Sequence, residues 1–146
     1  MIADLTSSGA MPALEAAMRF AAGRQKLLAH NIANLTTPNY QTQDVSTDGF
    51  QRTLSEAVDR RRAQNGGNFG DLRMTGNREI EQDRATGRLT LRPQAGSGNI
   101  LSHDRNDRDL ERSMQALVEN ATYFRAATDF MRQQKNQLMT AITERV

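Results

Sequence analysis

The sequence predicts a mainly α-helical protein in which an N-terminal and a C-terminal amphipathic helix form a coiled-coil-like pair. A Gly- and Arg-rich middle segment of irregular structure and short β-strands joins them. Three observations support this fold class. Apolar residues recur every seven positions at both ends of the chain, which is typical of helices that pack on other helices. No glycine or proline lies between positions 107 and 146. Eight of the ten glycines lie between positions 39 and 104.

The pattern divides the chain into three parts: an N-terminal helix with a following turn (1–40), the middle segment (41–104) and a long C-terminal helix (105–146). A chain of 146 residues has room for one ordinary domain. Only 37% of the residues are hydrophobic and there is no Trp, so little material is available for a core. The apolar residues are concentrated at the two ends. We therefore expect part of the apolar surface to be buried between subunits.

The N-terminal helix is predicted over residues 11–35. Its apolar row, with Ile32 beside it, consists of Leu14, Ala21, Leu28 and Leu35. Arg24 and Gln25 interrupt this row, and Gly23 is expected to weaken the helix by about 1 kcal/mol relative to Ala. The helix should end before Pro38, because a residue that precedes proline is disfavoured in the α conformation.

The middle segment shows weaker patterns. Residues 50–58 place several apolar side chains on one helical face, and the alternation at residues 88–92 predicts a short strand. Residues 64–68 and 94–99 are rich in Gly and Asn or Ser, which predicts loops. Short β elements and linkers are expected here.

The C-terminal helix is predicted to begin near Asp107, which can cap its first turn. A heptad row runs along it, consisting of Leu110, Leu117, Phe124, Met131 and Leu138, with Met114, Ala121, Thr128 and Ile142 beside it. About 38 residues at 1.5 Å each give a rod of roughly 57 Å. Such a long one-sided helix is expected to pack either on the N-terminal helix or on neighbouring copies.

Composition excludes several functions. The chain has no Cys, so disulfides, thiolate chemistry and Cys-based zinc sites are absent. The 19 basic and 17 acidic residues nearly balance, so no strong field for nucleic acid or an anionic membrane is implied. No apolar run reaches the roughly 18 residues of a membrane span, and the N-terminus does not resemble a cleaved signal peptide.

Other candidate motifs favour ordinary structural roles. The arginines at 60–62 are expected to be solvated, since Asp59 precedes them and no aromatic residues are interleaved. His30 and His103 lack a metal-ligand spacing, and the glycines at 66–70 lack the Lys and hydroxyl of a phosphate loop. We therefore predict no enzyme activity, no cofactor, no metal site, no nucleic-acid partner and no direct membrane insertion.

Residues 31–40 read N-I-A-N-L-T-T-P-N-Y. They resemble the N-terminal signature of the flagellar axial proteins (rod, hook and hook-associated proteins), which is roughly N-I-A-N-x-x-T-P-G-Y. The short chain, with no large inserted domain, resembles the proximal rod subunits of that family. The C-terminal residues 109–117, the following Asn120, Ala121 and Tyr123, and the closing residues 138–142 are similar to one type of proximal rod subunit.

Two positions depart from the family pattern. The glycine before the signature tyrosine is Asn39 here, and Asn tolerates the left-handed conformation that a type II turn after Pro38 requires. The entry to the last helix, of the type D-G-N-x-V-D in the family, is D-R-N-D-R-D at 104–109. Its turn glycine and its valine are both Arg, which leaves the form of that turn open.

The signature residues have a physical rationale. Asn31 and Asn34 lie one turn apart near the helix end, where their side chains can bond unpaired carbonyls or polar groups on a packed neighbour. A buried Asn in a helical seam fixes register at some cost in stability. Tyr40 offers a ring to bury and a hydroxyl to pair. The alternative is that both asparagines are solvated positions near a helix end; the resemblance favours packing.

The resemblance implies a structural subunit of the flagellar rod that packs with copies of itself and with related axial proteins. The predicted packing residues are the two apolar rows together with Asn31, Asn34, Pro38 and Tyr40. The family is exported without a cleaved signal peptide and assembles in the periplasm, with membrane-ring and export-gate components at the rod base. Two alternatives remain: a cytosolic coiled-coil adaptor or secretion chaperone, and an enzyme or nucleic-acid binder that uses the middle segment.

Overall fold

The computed structural model describes residues 9–66, 70–83, 86–95 and 110–143. In these ranges the chain is mainly helical, with small antiparallel strands in the middle, as the sequence predicts. The helices are α1 (Met11–Ala33), α2 (Thr47–Asn65) and α3 (Leu110–Thr143). The strands are β1 (Gln43–Asp44), β2 (Ile80–Gln82), β3 (Leu89–Leu91) and β4 (Gln94–Ala95).

Helices α1 and α3 pack against each other along much of α1. The amide of Asn120 on α3 meets the carbonyl of Ala21 in the middle of α1. Gly9, just before α1, lies beside Gln134, further along α3. Residue numbers therefore rise along one helix while they fall along the other, and the two helices are antiparallel. The predicted start of α3 near Asp107 lies outside the described residues.

Helix α2 is much longer than the stretch 50–58 in which the sequence indicated a helical face. The Ser46 hydroxyl caps its first turn by accepting the Gly49 N–H at 2.9 Å. Gly66, at φ +66°, ends it in the left-handed conformation that favours glycine. The prediction of an irregular segment is wrong here, and the loop predicted to begin at residue 64 begins two residues later, at Gly66.

Two antiparallel strand pairs complete the middle segment. Strands β2 and β3 pair with Ile80 opposite Leu91, which confirms the strand predicted at residues 88–92. Strand β1 pairs with β4, so the prediction of a loop at residues 94–99 is wrong at its first two positions. The remainder of that predicted loop lies outside the described residues.

Helix α1 lies at the centre of the fold. Its Phe20 is 1% exposed and stacks on Phe50 of α2, with ring centroids 4.0 Å apart. A Cβ on Gly23 would lie 2.5 Å from Leu91 Cδ1, so the glycine makes room for the β-hairpin. The close packing of the β-hairpin on α1 therefore requires a glycine at position 23. The sequence alone indicated only that Gly23 weakens the helix. The remaining core members come from every helix, from β2 and from the segments beside the strands, and include Ala16, Ala17, Val45, Ala57, Leu72, Met74, Ile80 and Ala127.

Candidate assembly surfaces of the terminal helices

The C-terminal end of α1 is closed by Asn34. Its side-chain amide donates to the His30 carbonyl at 2.9 Å, and its backbone N–H also points at that carbonyl. The Thr37 hydroxyl donates in turn to Asn34 Oδ1 at 3.3 Å. Asn34 thus satisfies a carbonyl that the helix end leaves unpaired, as expected from its position.

The signature continues into a tight turn over residues 37–40. The Tyr40 N–H donates to the Thr37 carbonyl at 3.2 Å, and Asn39 adopts φ +59°. Pro38, which is exposed, is the second residue of this turn, where the fixed φ of proline, near −65°, is favourable. Asn39 therefore takes the left-handed conformation for which the family uses glycine. The turn brings the Tyr40 ring edge-on to His30, with centroids 5.8 Å apart.

Asn31 is buried, with 4% of its surface exposed, and binds the chain that follows the turn. Its Nδ2 donates to the Gln43 carbonyl at 2.8 Å, and its Oδ1 accepts the Gln43 N–H at 3.0 Å. The Tyr40 hydroxyl donates to the same Oδ1 at 2.8 Å, and burial raises the pKa of Tyr40. The interpretation of Asn31 as a solvated residue is wrong. Its side chain anchors β1 to α1 within one chain.

Arg24 interrupts the apolar row of α1 for a reason that the structure reveals. Its guanidinium forms a two-pronged contact with Asp44 on β1, with Nε–Oδ1 at 2.9 Å and Nη2–Oδ2 at 2.6 Å. This hydrogen-bonded pair, together with the charge of Glu119, raises the pKa of Arg24. Arg24 therefore fastens the same strand that Asn31 holds, one side chain on either side of Leu28.

Gln25, the second interruption, faces α3. Asn120 of α3 is 3% exposed and lies in the seam between the helices. Its Nδ2 donates to the Ala21 carbonyl at 2.9 Å and to Gln25 Oε1 at 2.7 Å. The asparagine in the α1–α3 seam is thus Asn120, and not Asn31 or Asn34. The signal that the sequence offers for this contact is the interruption of the α1 apolar row at Arg24 and Gln25.

The predicted row of α1 is covered within the subunit. Ala21 is fully buried and Leu28 is 3% exposed, whereas the remaining three members, Leu14, Ile32 and Leu35, are half-buried. Most of the apolar surface of this helix is therefore used by the fold itself.

The predicted residues of α3 divide into two groups. Those at the edge of the α1 contact are half-buried: Leu117, Thr128, Met131 and Leu138. The others are exposed: Leu110 (51%), Met114 (45%), Phe124 (36%), Ile142 (50%) and Ala121. The row that the sequence singled out is thus off-centre, because the middle of the α1 contact is formed by Asn120 and Ala127.

Further large apolar side chains on α3 were not predicted as packing residues and are also exposed: Val118 (62%), Phe130 (60%) and Met139 (55%). We call the exposed large apolar side chains of α3 the α3 apolar surface: Leu110, Met114, Val118, Phe124, Phe130, Met139 and Ile142. By helical spacing, six of them lie on one side of the α1 contact and Phe130 lies on the other. Exposed apolar side chains in such number on one helix are typical of an interaction surface.

The expectation that the arginines at 60–62 are all solvated is wrong for Arg61. Arg61 is 6% exposed and donates to the Gly9 carbonyl at 2.7 Å, which joins α2 to the start of α1. Arg60 and Arg62 are exposed, as expected. Across the described ranges, no group of three or more His, Asp or Glu side chains is placed to hold a metal ion. In the same ranges no helix has the length and apolar character needed to cross a membrane.

Paired terminal helices, a small middle segment and an uncovered apolar surface define the class of this chain as a helical structural protein. It is 27% identical over 136 residues to the flagellar basal body rod protein FlgB of Bacillus subtilis (strain 168), which covers 93% of this chain and 95% of the relative. It is 30% identical over 112 residues to the FlgB protein of Borrelia hermsii, covering 73% and 75%. The chain belongs to the FlgB family of flagellar basal body rod proteins. No family model matches it.

Family membership confirms the resemblance that the signature and the C-terminal residues carried. It supports a structural, non-enzymatic role in the rod of the flagellar basal body. The prediction that the chain is not an enzyme is confirmed, and the enzyme alternative is no longer needed.

Proposed function

We propose that this chain is a subunit of the proximal rod that assembles, through its terminal helices, with copies of itself and with related axial proteins into a helical tube. The observation that carries this proposal is the α3 apolar surface. Seven large apolar side chains on one helix lie between 36% and 62% exposed. Complete burial of one such side chain contributes roughly 1.5–3 kcal/mol, so an assembly that covers several of them gains substantial free energy.

The side of α1 that faces away from the middle segment is a second candidate contact. Phe20 and Leu27 face the core of the middle segment. The exposed row of α1 lies on roughly the opposite side of the helix and consists of Ala22, Lys26, Ala29 and Ala33. Small side chains let another helix approach closely. We infer that α2 and the strands of the middle segment (41–104) pack on α1 from one side, while the helices α1 and α3 of the terminal parts (1–40 and 105–146) provide the surfaces for assembly.

A contact between different surfaces of two copies is heterologous and propagates as a helix of subunits unless it closes into a ring. This is the geometry that a tube requires. By the resemblance, the subunit would contact membrane-ring and export-gate components at the rod base and other rod proteins above them. It would thereby link the base to the distal rod, in the periplasm, after export without a cleaved signal peptide.

The first test combines mass spectrometry of purified basal bodies with motility of cells that carry single variants. Met114→Asp and Phe124→Asp place a charge on the α3 apolar surface and should abolish rod incorporation while the isolated chain stays folded. Gln137→Asp, at an exposed polar position of the same helix that is not three or four residues from any member of the α3 apolar surface, is the matched control and should assemble normally. Leu117→Asp should also block assembly, but Leu117 is half-buried beside α1, so its effect on folding must be measured too.

Detection of the chain in purified basal bodies, with the Asp variants absent from them, would support the proposal. Its absence from intact basal bodies, with a discrete stable oligomer in the cytosol, would contradict it and favour the adaptor or chaperone alternative. Normal motility of both Asp variants would show that the α3 apolar surface is not an assembly surface.

A further inference from the structure

The apolar pattern of α1 and α3 does not by itself fix the axial alignment of the two helices. On α1, the predicted row repeats every seven residues, and on α3 the half-buried Leu117, Met131 and Leu138 lie at multiples of seven residues from one another. A slip of α3 along α1 by seven residues therefore places apolar side chains opposite apolar side chains again. Burial of apolar area alone distinguishes poorly between the observed alignment and the two alignments displaced by one heptad.

Asn120 and Gln25 break this degeneracy. In the observed register both hydrogens of the Asn120 amide are used, one by the Ala21 carbonyl and one by Gln25 Oε1, at 2.9 and 2.7 Å. Ala21 is fully buried and Asn120 is 3% exposed, so water has little access to this contact. The polar pair is therefore formed where its loss is most costly.

Each slipped register removes the partner. A displacement of seven residues in one direction moves Asn120 from Ala21 and Gln25 to Leu28 and Ile32. The opposite displacement moves it to Leu14 and Met18. In either case the side chain at the position of Gln25 is apolar, and a buried amide hydrogen loses its acceptor. The same two displacements move Gln25 from Asn120 to Ala127 and to Ser113 respectively, neither of which carries an amide.

We propose that Asn120 and Gln25 form a register lock, which sets the axial alignment of α3 on α1 and thereby selects one structure for the subunit. The lock acts by disfavouring the slipped alignments rather than by adding stability to the observed one. A buried amide that loses its partner lowers the population of a slipped alignment by roughly 5- to 150-fold. The lock concerns the single chain and does not depend on the proposed place of the subunit in the rod.

The absence of Cys from the chain makes this testable with a pair of spin labels. Ala29→Cys on α1 and Ala126→Cys on α3 are both exposed and lie far apart along the helix axes, so a seven-residue slip changes their separation by about 10 Å. Distances between the two labels would be measured by pulsed electron spin resonance in the purified full chain, alone and with Gln25→Leu and Asn120→Leu together. Asn136→Leu, at an exposed position of α3, is the matched control.

The labelled parent and the Asn136→Leu control should each give one narrow distance distribution. The Leu pair should give at least one additional population displaced by about 10 Å, with an unfolding midpoint in urea no lower than that of the parent. A single narrow distribution in the Leu pair would overturn the proposal. A lower midpoint with an unchanged distribution would also overturn it, since it would show that the two residues stabilise the fold without selecting the register.

If the Leu pair does not fold, Gln25→Leu alone keeps the proposal testable. It leaves the Asn120–Ala21 contact in place and removes only the acceptor that differs between registers. It should broaden the distance distribution while the chain remains folded, and a distribution as narrow as that of the parent would overturn the lock. All of these measurements use the isolated chain, so failure of the lock and failure of the rod assembly are separate results.

Discussion

Helices α1 and α3 pack on each other, but they differ in how much of their surface the subunit covers. Helix α1 has α3 on one side and α2, β1 and β3 on others, and its Phe20 and Ala21 are almost completely buried. Helix α3 is 34 residues long, and in the described part of the chain only its Asn120 and Ala127 are buried. The same heptad pattern thus serves two purposes: on α1 two of the four row members are buried in the subunit, and on α3 none of the five is buried and two are exposed.

This difference indicates that an apolar row predicts a packing surface without predicting its partner. A short chain can form only a small core. In this chain the core covers the central helix α1, and the longer helix α3 retains exposed apolar side chains that other molecules can contact. Substitutions at the buried positions of α1 should therefore act mainly on the stability of the subunit. Substitutions on the α3 apolar surface should act mainly on assembly.

The largest effect is expected at Phe20. Phe20→Ala removes a ring that is 1% exposed and stacked on Phe50, and should lower the free energy of unfolding by about 3–5 kcal/mol. Phe130→Ala, the matched control on α3, removes a ring that is 60% exposed and should change it by about 0.5 kcal/mol or less. Urea unfolding followed by circular dichroism measures both values. Equal losses for the two variants would contradict the difference between the helices.

A smaller effect is expected at Asn31. Asn31→Ala leaves the Gln43 backbone groups and the Tyr40 hydroxyl without their buried partner and should cost about 2–3 kcal/mol. Asn34→Ala, which removes an exposed cap at the end of the same helix, should cost about 1 kcal/mol or less. The unfolding midpoints of the two variants provide the comparison. A larger loss at Asn34 would show that the network around Asn31 does not anchor β1.

The next prediction concerns Gly23, on the side of α1 that packs against the β2–β3 hairpin. Gly23→Val introduces a branched side chain where a Cβ alone would meet Leu91 Cδ1 at 2.5 Å, and should destabilise the subunit by about 1–2 kcal/mol despite the better helix propensity of Val. Ala22→Val adds similar volume at the exposed neighbouring position and should have little effect. Thermal unfolding of both variants distinguishes them. A stabilised Gly23→Val variant would mean that β3 does not pack closely on α1.

The smallest effect concerns pH. Burial of Tyr123 against α1 raises the pKa of its hydroxyl above the value of about 10 expected in the unfolded chain. The folded state then holds this proton more tightly, so its contribution to stability is intact below pH 10 and is lost as the pH rises through the folded pKa. The free energy of unfolding should fall less between pH 8 and pH 11 for Tyr123→Phe than for the parent. Equal falls would indicate that Tyr123 is solvated.

The sequence predicts the long helices because their apolar repeats are strong and no proline lies in their interiors. It does not predict the centre of the α1–α3 contact, because polar Asn120 and small Ala127 carry no hydrophobic signal. Helix α2 was largely missed for a related reason. Its buried face is Phe50, Thr53, Ala57 and Arg61, which has helical spacing but is half polar. The partners of Arg24 and Asn31 lie on β1, which only the folded chain brings beside them.

The central claim is that the α3 apolar surface is exposed in the single subunit and buried in the rod. Its most direct test uses a single Cys at that surface, Met114→Cys, and a control, Gln137→Cys, in an otherwise Cys-free chain. The rates of maleimide labelling would be compared in the isolated chain and in purified basal bodies. We predict fast labelling at both positions in the isolated chain and strong protection of position 114, relative to 137, in basal bodies. Equal labelling of the two positions in basal bodies would contradict the account.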